Sequence, residues 1–168
     1  REESEGRVLW DTKEEVNRLC HLSTEVFMRE DLRDIIDFAA YTGMRQGEIL
    51  KLRSMDIDWT SSPPKIHVGG VPTQTTKAKN WRVIPIHDRI AEPLRRRCEA
   101  VNPRVRIFGD EWRDRDQLLR NFNKVRRLVK DNDAYVFHTL RHSFATWHAD
   151  AGTPIRSLMA LMGHKRIE

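Results

Sequence analysis

Apolar residues recur at helical spacing along most of the chain. In residues 30–42, Leu32, Ile35, Ile36 and Ala39 stand at i, i+3, i+4 and i+7, which predicts a helix with one buried face. Gly43 follows, where helices commonly end in the left-handed conformation. Apolar spacing, cap residues, glycines and a proline predict further helices that begin near residue 12, span 46–52, begin at residue 88, span 114–130 and 139–151, and run from 154 to about 163.

Polar and conformationally special residues mark the predicted helix ends. Thr12 and Glu15 have the spacing of a capping box, and Asp88 is placed to cap the helix that follows it. Pro154 suits the first position of the last helix, and Gly163 suits its end. The predicted core positions on the helices are Val16, Leu19, Ile49, Leu50, Leu52, Ile90, Leu94, Cys98, Leu118, Leu119, Phe122, Val125 and Val129.

Two short segments have the composition of strands. KIHV at 65–68 and RVIPI at 82–86 are rich in β-branched residues, and a Gly, Thr and Lys loop separates them. They predict a small hairpin or three-stranded sheet with a polar, basic tip, and residues 133–137 read as a short extended link. The predicted fold class is therefore mainly α with a small antiparallel β-sheet (α+β).

Length and composition limit the class of protein. A chain of 168 residues suits one domain, and five Trp with six Phe argue against disorder. No apolar run approaches a membrane span, and the charged start lacks the apolar stretch of a signal peptide. Cys20 and Cys98 form no CxxC motif, which fits a reducing cytosol, although the two could still pair.

Charge is distributed unevenly along the chain. Residues 1–60 carry nine Lys/Arg and fourteen Asp/Glu, whereas residues 61–168 carry twenty-one and eleven. A strongly basic segment usually meets a polyanion, most often nucleic acid. A solvated surface with exposed arginines is the alternative that charge alone leaves open.

Four polar segments are candidates for chemistry: TGMRQGE at 42–48, TK at 76–77, HTLRH at 138–142 and LMGH at 161–164. Each taken alone also fits an ordinary role at a surface or helix end. A zinc site of His138, His142 and His148 is an alternative, but Arg141 interrupts the first pair and the HExxH glutamate is missing. The sequence also lacks GxxxxGK[ST], GxGxxG and GxSxG motifs, so we predict no metal and no cofactor.

Taken together and in this order, the segments resemble the catalytic domain of the tyrosine recombinase (phage integrase) family. The resemblance covers roughly residues 9–168. HTLRHSFAT at 138–146, Gly152 and LMGH at 161–164 are similar to the family signature HxLRHxxAT…G…LGH. TGMRQGEILKL at 42–52, followed by DID at 56–58, resembles its first arginine motif. Thr76-Lys77, with Arg82 and Pro85 after them, resembles its lysine hairpin.

The resemblance implies a catalytic set of Arg45, Lys77, His138, Arg141 and His164. The two arginines would clamp a DNA phosphate, for which the fixed bidentate charge of a guanidinium is well suited. By the family pattern, His138 assists the nucleophile, Lys77 protonates the leaving 5′-oxygen and His164 is a further donor to the phosphate. Arg, Lys and His then supply the electrostatics that a metal ion would otherwise provide.

Supporting roles follow from the same resemblance and from charge. Glu48 lies one turn after Arg45 and is expected to orient the site. Basic residues at the hairpin tip and in the RRR run are candidates for neutralising the DNA backbone, a contact that carries little sequence information. The candidate DNA-binding residues are Lys79, Arg82, Arg95, Arg96 and Arg97.

One element of the family pattern is missing from the sequence. The family's nucleophile is a tyrosine shortly after the final histidine, but only four residues follow His164 here. Tyr41 lies in an apolar helix, where a core role is expected, and Tyr135 lies upstream of the HTLRH segment. We expect residues 1–168 to be a catalytic-domain fragment, with the tyrosine beyond Glu168 and an amino-terminal core-binding domain before residue 1. The fragment alone should form no covalent DNA adduct.

The resulting hypothesis is a site-specific DNA recombinase of a phage or other mobile element. It would break and rejoin double-stranded DNA through a 3′-phosphotyrosyl intermediate, as a homotetramer on DNA, in the bacterial cytoplasm and without membrane contact. Two alternatives stay open: a DNA-binding module without catalysis, and a topoisomerase-like enzyme that relaxes DNA without exchanging partners.

Overall fold

A computed structural model describes residues 8–69, 81–108, 112 and 115–164. These residues form a mainly helical fold with a small antiparallel sheet, which confirms the predicted fold class. The helices are α1 (Lys13–Glu25), α2 (Glu30–Thr42), α3 (Gln46–Ile49), α4 (Asp88–Glu99), α5 (Arg115–Val129), α6 (Thr139–Asp150) and α7 (Ile155–Met162). The strands are β1 (Ile57–Asp58), β2 (Lys65–Val68) and β3 (Arg82–Pro85), and a 3₁₀ turn (Ser54–Asp56) precedes β1.

Helix α2 is the centre of the fold because its apolar residues cover most of its circumference. It packs against α1, α4, α5 and α6. Its predicted buried face, including Ile35 and Ile36, is fully buried, and Phe38 and Ala40 are buried as well. Gly43 ends the helix in the left-handed conformation, with φ of 63°, as predicted. The chain that follows α2 therefore leaves from the buried core.

The sheet is antiparallel with strand order β1-β2-β3. The strand at 65–68 is confirmed, the next strand ends one residue earlier than predicted, and β1 completes a three-stranded sheet. Ile57 pairs with Ile66, which pairs in turn with Ile84, and all three side chains face the core. At the other end of the hairpin Val68 pairs with Arg82, and α7 packs against β3. The sheet thus brings Arg82 against the last helix.

The capping box that opens α1 is confirmed. The Glu15 amide donates to the Thr12 hydroxyl at 3.1 Å, and the Thr12 amide donates to the Glu15 carboxylate at 2.9 Å. Asp11, immediately before the cap, is fully buried. The start of α1 is therefore fixed by the Thr12 and Glu15 side chains and by the buried Asp11 that precedes them.

Several predicted boundaries are wrong by one to three residues. Asp88 does not cap α4 but is its first residue, because the His87 ring accepts from the Arg89 amide at 3.1 Å. Pro154 is the cap of α7 rather than its first residue, so the helix begins at Ile155. Helix α3 ends three residues earlier than predicted, and residues 133–137 form turns instead of an extended link. Competition between neighbouring polar groups decides such ends.

The predicted core is largely observed. All of its positions are buried except Leu50, Leu119 and Val129, which are half-buried and pack against the core.

The two cysteines are buried free thiols, so the pairing that the sequence left open does not occur. Within the described part of the chain, every helix is too short or too polar to cross a membrane.

Candidate active site

Arg45 stands between α2 and α3, where the chain leaves the core. Its amide donates to the Glu48 carboxylate at 2.8 Å, which fixes the start of α3. Its guanidinium lies 3.4 Å from the same carboxylate, and the side chain is 44% exposed. Arg45 is therefore held at its backbone and open to solvent at its charged end.

Arg141 lies in the first turn of α6 and is buried, with 4% exposure. Its Nη1 donates to the Gly43 carbonyl and its Nη2 donates to the Met162 carbonyl, each at 2.5 Å. Burial, with the nearby charges of Arg45 and Arg82, lowers the pKa of Arg141 to about 10, so it is cationic at neutral pH. One guanidinium thus ties the end of α2 to the end of α7.

His164 follows the last helix and reaches the same guanidinium. Gly163 ends α7 in the left-handed conformation with φ of 70°, which turns the chain back toward the site. The His164 amide donates to the Met159 carbonyl at 3.0 Å, and its Nε2 lies 3.1 Å from Arg141 Nη2. Since a guanidinium only donates, Nε2 accepts in this contact.

His138 is the N-cap residue of α6, three residues before Arg141, and its side chain makes no capping hydrogen bond. Its ring meets the ring of His142 edge to face, with centroids 5.0 Å apart. Partial burial lowers the pKa of His138, and the charges of His142, Arg141 and Arg45 lower it further. Burial and Arg141 also lower the pKa of His142. Neutral imidazoles are favoured, which suits a group that must accept a proton.

Glu48 joins Arg45 to a second arginine. Burial raises the pKa of the Glu48 carboxyl, but hydrogen bonds from Arg82 and from the Arg45 amide outweigh burial and leave the pKa below its ordinary value. Arg82 Nη1 and Nη2 donate to the two carboxylate oxygens at 2.9 and 2.8 Å. The carboxylate is thus the negative centre of a cationic site.

Arg82, which the sequence predicts to contact DNA, is buried in this structure. Its side chain is 5% exposed, and its Nε donates to the Leu161 carbonyl at 2.8 Å while the rest of the guanidinium binds Glu48. All three of its guanidinium nitrogens therefore donate to groups inside the protein. Sequence reasoning missed this role because Glu48 is 34 residues away.

The RRR run on α4 does not act as one surface patch. The Arg97 Nε donates to Asp34 at 2.8 Å, and the Arg97 side chain is only 15% exposed. Arg95 lies over the Trp59 ring at 4.2 Å, and Arg95 and Arg96 are exposed. These two remain predicted DNA-backbone contacts.

Two of the predicted site residues, Lys77 and Lys79, lie outside the described residues.

Among the described residues, no group of three or more His, Cys, Asp or Glu side chains is arranged to hold a metal ion. His148, the third histidine of the zinc alternative, has its Nδ1 3.0 Å from the Thr153 hydroxyl. His142, weighed in the sequence only as a zinc ligand, instead packs against His138.

Both tyrosines lie in other surroundings. Tyr41 packs against the rings of His87 and Trp147, at centroid distances of 4.8 and 5.4 Å. The Tyr135 ring has Lys130 Nζ 3.9 Å from its centroid. The structure therefore brings together Arg45, His138, Arg141 and His164, with Glu48 behind them, and gives the tyrosines packing roles.

Comparison with known proteins agrees with this fold. The family model described as the phage integrase family matches residues 10–168. The chain belongs to the phage integrase family, as the sequence motifs indicated. It is 28% identical over 161 residues to a tyrosine recombinase of Thermosipho africanus, covering 93% of this chain and 53% of the relative. It is 24% identical over 173 residues to the integrase of Salmonella phage P22, covering 96% and 42%.

Solved structures show the same fold. The crystal structure of XerA recombinase superposes with a TM-score of 0.73 at 20% identity, covering 94% of this chain and 57% of that one. The catalytic domain of bacteriophage HP1 integrase gives 0.67 at 22% identity, covering 95% and 83%. XerH recombinase bound to palindromic difH DNA gives 0.74 at 18% identity, covering 99% and 49%. The chain spans about half the length of the curated relatives it matches.

Proposed function

We propose that this chain is the catalytic domain of a site-specific DNA recombinase that cleaves and rejoins strands through a 3′-phosphotyrosyl intermediate. The observation that carries the proposal is the position of Arg141, whose guanidinium lies 3.1 Å from His164 and is bonded to the carbonyl of Gly43, two residues before Arg45. Two arginines and a histidine from three separate segments thereby share one site. A phosphodiester is the ligand that such a set fits.

The proposed chemistry is a transesterification. A tyrosine oxygen attacks the phosphorus, the bond from phosphorus to the 5′-oxygen breaks, and the tyrosyl proton is lost while the 5′-oxygen gains one. Arg45 and Arg141 stabilise the charge on the nonbridging oxygens, for which each fixed donor is typically worth about 3–4 kcal/mol. His138 accepts a proton at the nucleophile, and Lys77 protonates the leaving oxygen. His164 donates to the phosphate from Nδ1, since its Nε2 accepts from Arg141.

The nucleophile proposed is the family's tyrosine, in sequence beyond Glu168. Packing supports this choice, since Tyr41 lies against two aromatic rings and Tyr135 lies against Lys130. We likewise propose a core-binding domain before residue 1, assembly as a homotetramer on double-stranded DNA, and a place in the bacterial cytoplasm. The resemblance to a phage P22 integrase favours a phage or other mobile element as its source.

The test is covalent capture of DNA by the product of the complete coding sequence. The protein is incubated with a library of nicked duplexes of randomised sequence, and adducts that resist detergent are isolated and sequenced. We expect adducts with the wild-type protein and a loss of about 10²–10³-fold in Arg45→Ala and Arg141→Lys. Arg18→Ala, on the exposed face of α1, is the control.

Other outcomes would contradict the proposal. DNA binding without adduct in the wild type would favour the noncatalytic module. Relaxation of a supercoiled plasmid without exchange between two captured sites would favour the topoisomerase-like alternative. Full adduct formation by Arg45→Ala or by folded Arg141→Lys would show that the altered arginine does not stabilise the phosphate during cleavage.

A further inference from the structure

Arg82 connects two parts of the site that are far apart in sequence. It is the first residue of β3, and its side chain is almost completely buried. Toward α3 it makes a bidentate ion pair with Glu48, and toward α7 its Nε donates to the Leu161 carbonyl. One rigid guanidinium plane therefore fixes the position of the Glu48 carboxylate relative to the last turn of α7.

Each partner of Arg82 is connected to a predicted catalytic residue, one by a hydrogen bond and the other by a short stretch of backbone. On the α3 side, Glu48 accepts the amide of Arg45 at 2.8 Å. On the α7 side, Leu161 lies in the last turn of the helix, three residues before His164. Any displacement of Arg82 therefore reaches Arg45 through one side chain and His164 through one turn of backbone.

The end of α7 is held by two guanidiniums side by side. Arg82 binds the carbonyl of Leu161, and Arg141 binds the carbonyl of the next residue, Met162. The last carbonyls of a helix have no partner within it and form the negative end of its dipole, so both cations are well placed. Arg141 also holds Gly43, which closes a ring of contacts around the site.

The turn before His164 is packed closely against Arg82. A Cβ placed on Gly163 would lie 2.9 Å from Arg82 Nη1 and 3.2 Å from its Cδ. That distance is shorter than a normal van der Waals contact, so the arginine would have to move. Gly152 has a similar φ of 80°, but a Cβ there meets nothing within 4 Å.

We propose that Arg82 is a positioning residue of the phosphate site, which sets the separation of Arg45 and His164 without touching DNA. The proposal rests on the proposed function. Misplacing a catalytic group by about 1 Å can cost about 10²-fold in rate. The effect of Arg82 is therefore on the rate of strand cleavage, while DNA affinity is set by other contacts.

The first experiment separates rate from affinity. With a duplex captured by the wild-type protein, single-turnover adduct formation and the Kd for the intact duplex are measured for the wild type and for Arg82→Lys. Lysine keeps the charge but has only one nitrogen, so it cannot hold Glu48 and the Leu161 carbonyl in the same fixed geometry. We expect the rate to fall about 10²-fold and the Kd to stay within about threefold.

The second experiment keeps arginine at position 82 and changes a neighbouring glycine. Gly163→Ala and Gly152→Ala both force alanine into the left-handed region, but only Gly163→Ala displaces Arg82. We expect Gly163→Ala to lower the adduct rate more strongly than Gly152→Ala at equal loss of stability in urea.

The outcomes distinguish this proposal from the proposed function. Absence of adduct in the wild type overturns the proposed function. Wild-type cleavage with an undiminished rate in folded Arg82→Lys, or equal rates in the two glycine variants, overturns the positioning role alone. A Kd that rises in parallel with the loss of rate would show that Arg82 contributes to binding, and would also overturn it.

Discussion

At the scale of single residues, Gly43 shows how closely the site is packed onto the core. Its φ of 63° lies in the region that favours glycine, and a Cβ there would lie 2.5 Å from Phe144 Cδ1. Its carbonyl accepts the Arg141 guanidinium. Gly43 therefore ends α2, packs against α6 and binds the Arg141 side chain.

Gly43→Ala should be strongly destabilising, by about 2–4 kcal/mol, from left-handed strain and overpacking together. Gly47→Ala is the matched control, because a Cβ there meets nothing within 4 Å and alanine favours helix by up to about 1 kcal/mol. Urea unfolding of both variants measures the difference. Equal stability of the two proteins would show that Phe144 does not pack against the glycine.

Individual roles were predictable only where a local motif carried them. Arg45 and Arg141 stand in short segments whose residues and order identify them. Arg82 and Arg97 are indistinguishable in sequence from surface arginines, because their partners Glu48 and Asp34 are brought to them by the fold. Long-range pairing of this kind leaves no periodic signal.

At the scale of elements, Asp11 fastens the start of α1 to two other helices. Its carboxylate accepts both Nη atoms of Arg126 on α5, at 2.5 and 2.9 Å, and both side chains are buried. Its amide donates to the Ser143 hydroxyl at 2.7 Å, and its carbonyl accepts from the Trp147 indole at 3.1 Å. Ser143 and Trp147 belong to α6, the helix that carries Arg141.

Asp11→Ala should cost about 3–5 kcal/mol, because it leaves the Arg126 charge buried without its carboxylate. The control is Asp133→Ala at the exposed pair with Arg127, 3.7 Å apart, which should change stability by less than about 1 kcal/mol. Denaturant titration of the two variants tests the contrast. A similar small loss in both would mean that the buried pair contributes little.

Helices were the most predictable elements, since apolar spacing located α2, α4 and α5 within a few residues and Gly152 marked the end of α6. Their ends were less so. His87 caps α4 in place of Asp88, which could not be read from propensity because both residues accept a hydrogen bond. The four-residue α3 is too short to show a period, and its start depends on Glu48.

At the scale of the whole molecule, histidines couple folding to pH. The pKa values of His138, His142 and His148 are lowered, with burial the largest cause for each. A group with a lowered pKa binds fewer protons in the folded than in the unfolded protein as pH falls through its ordinary value. Protonation then favours unfolding.

The free energy of unfolding should therefore decrease as pH falls from about 7.5 to about 5.5. This range spans the ordinary histidine pKa of about 6.5. A second decrease should follow below about pH 4.5, where Glu15, Asp31 and Glu48, whose pKa values are lowered, become protonated. Urea unfolding across this range measures both steps. His148→Gln should flatten the first step, and an unchanged slope would contradict its assignment.

We expect the contacts of Asp11 to transmit mechanical load through the domain. Tension on the backbone at residues 8–10 would pass through one amide and one carbonyl into Ser143 and Trp147, and so into α6. The same helix holds the guanidinium that grips the end of α7. We therefore expect a pull at this edge of the domain to reach Arg141 and the end of α7 through these hydrogen bonds.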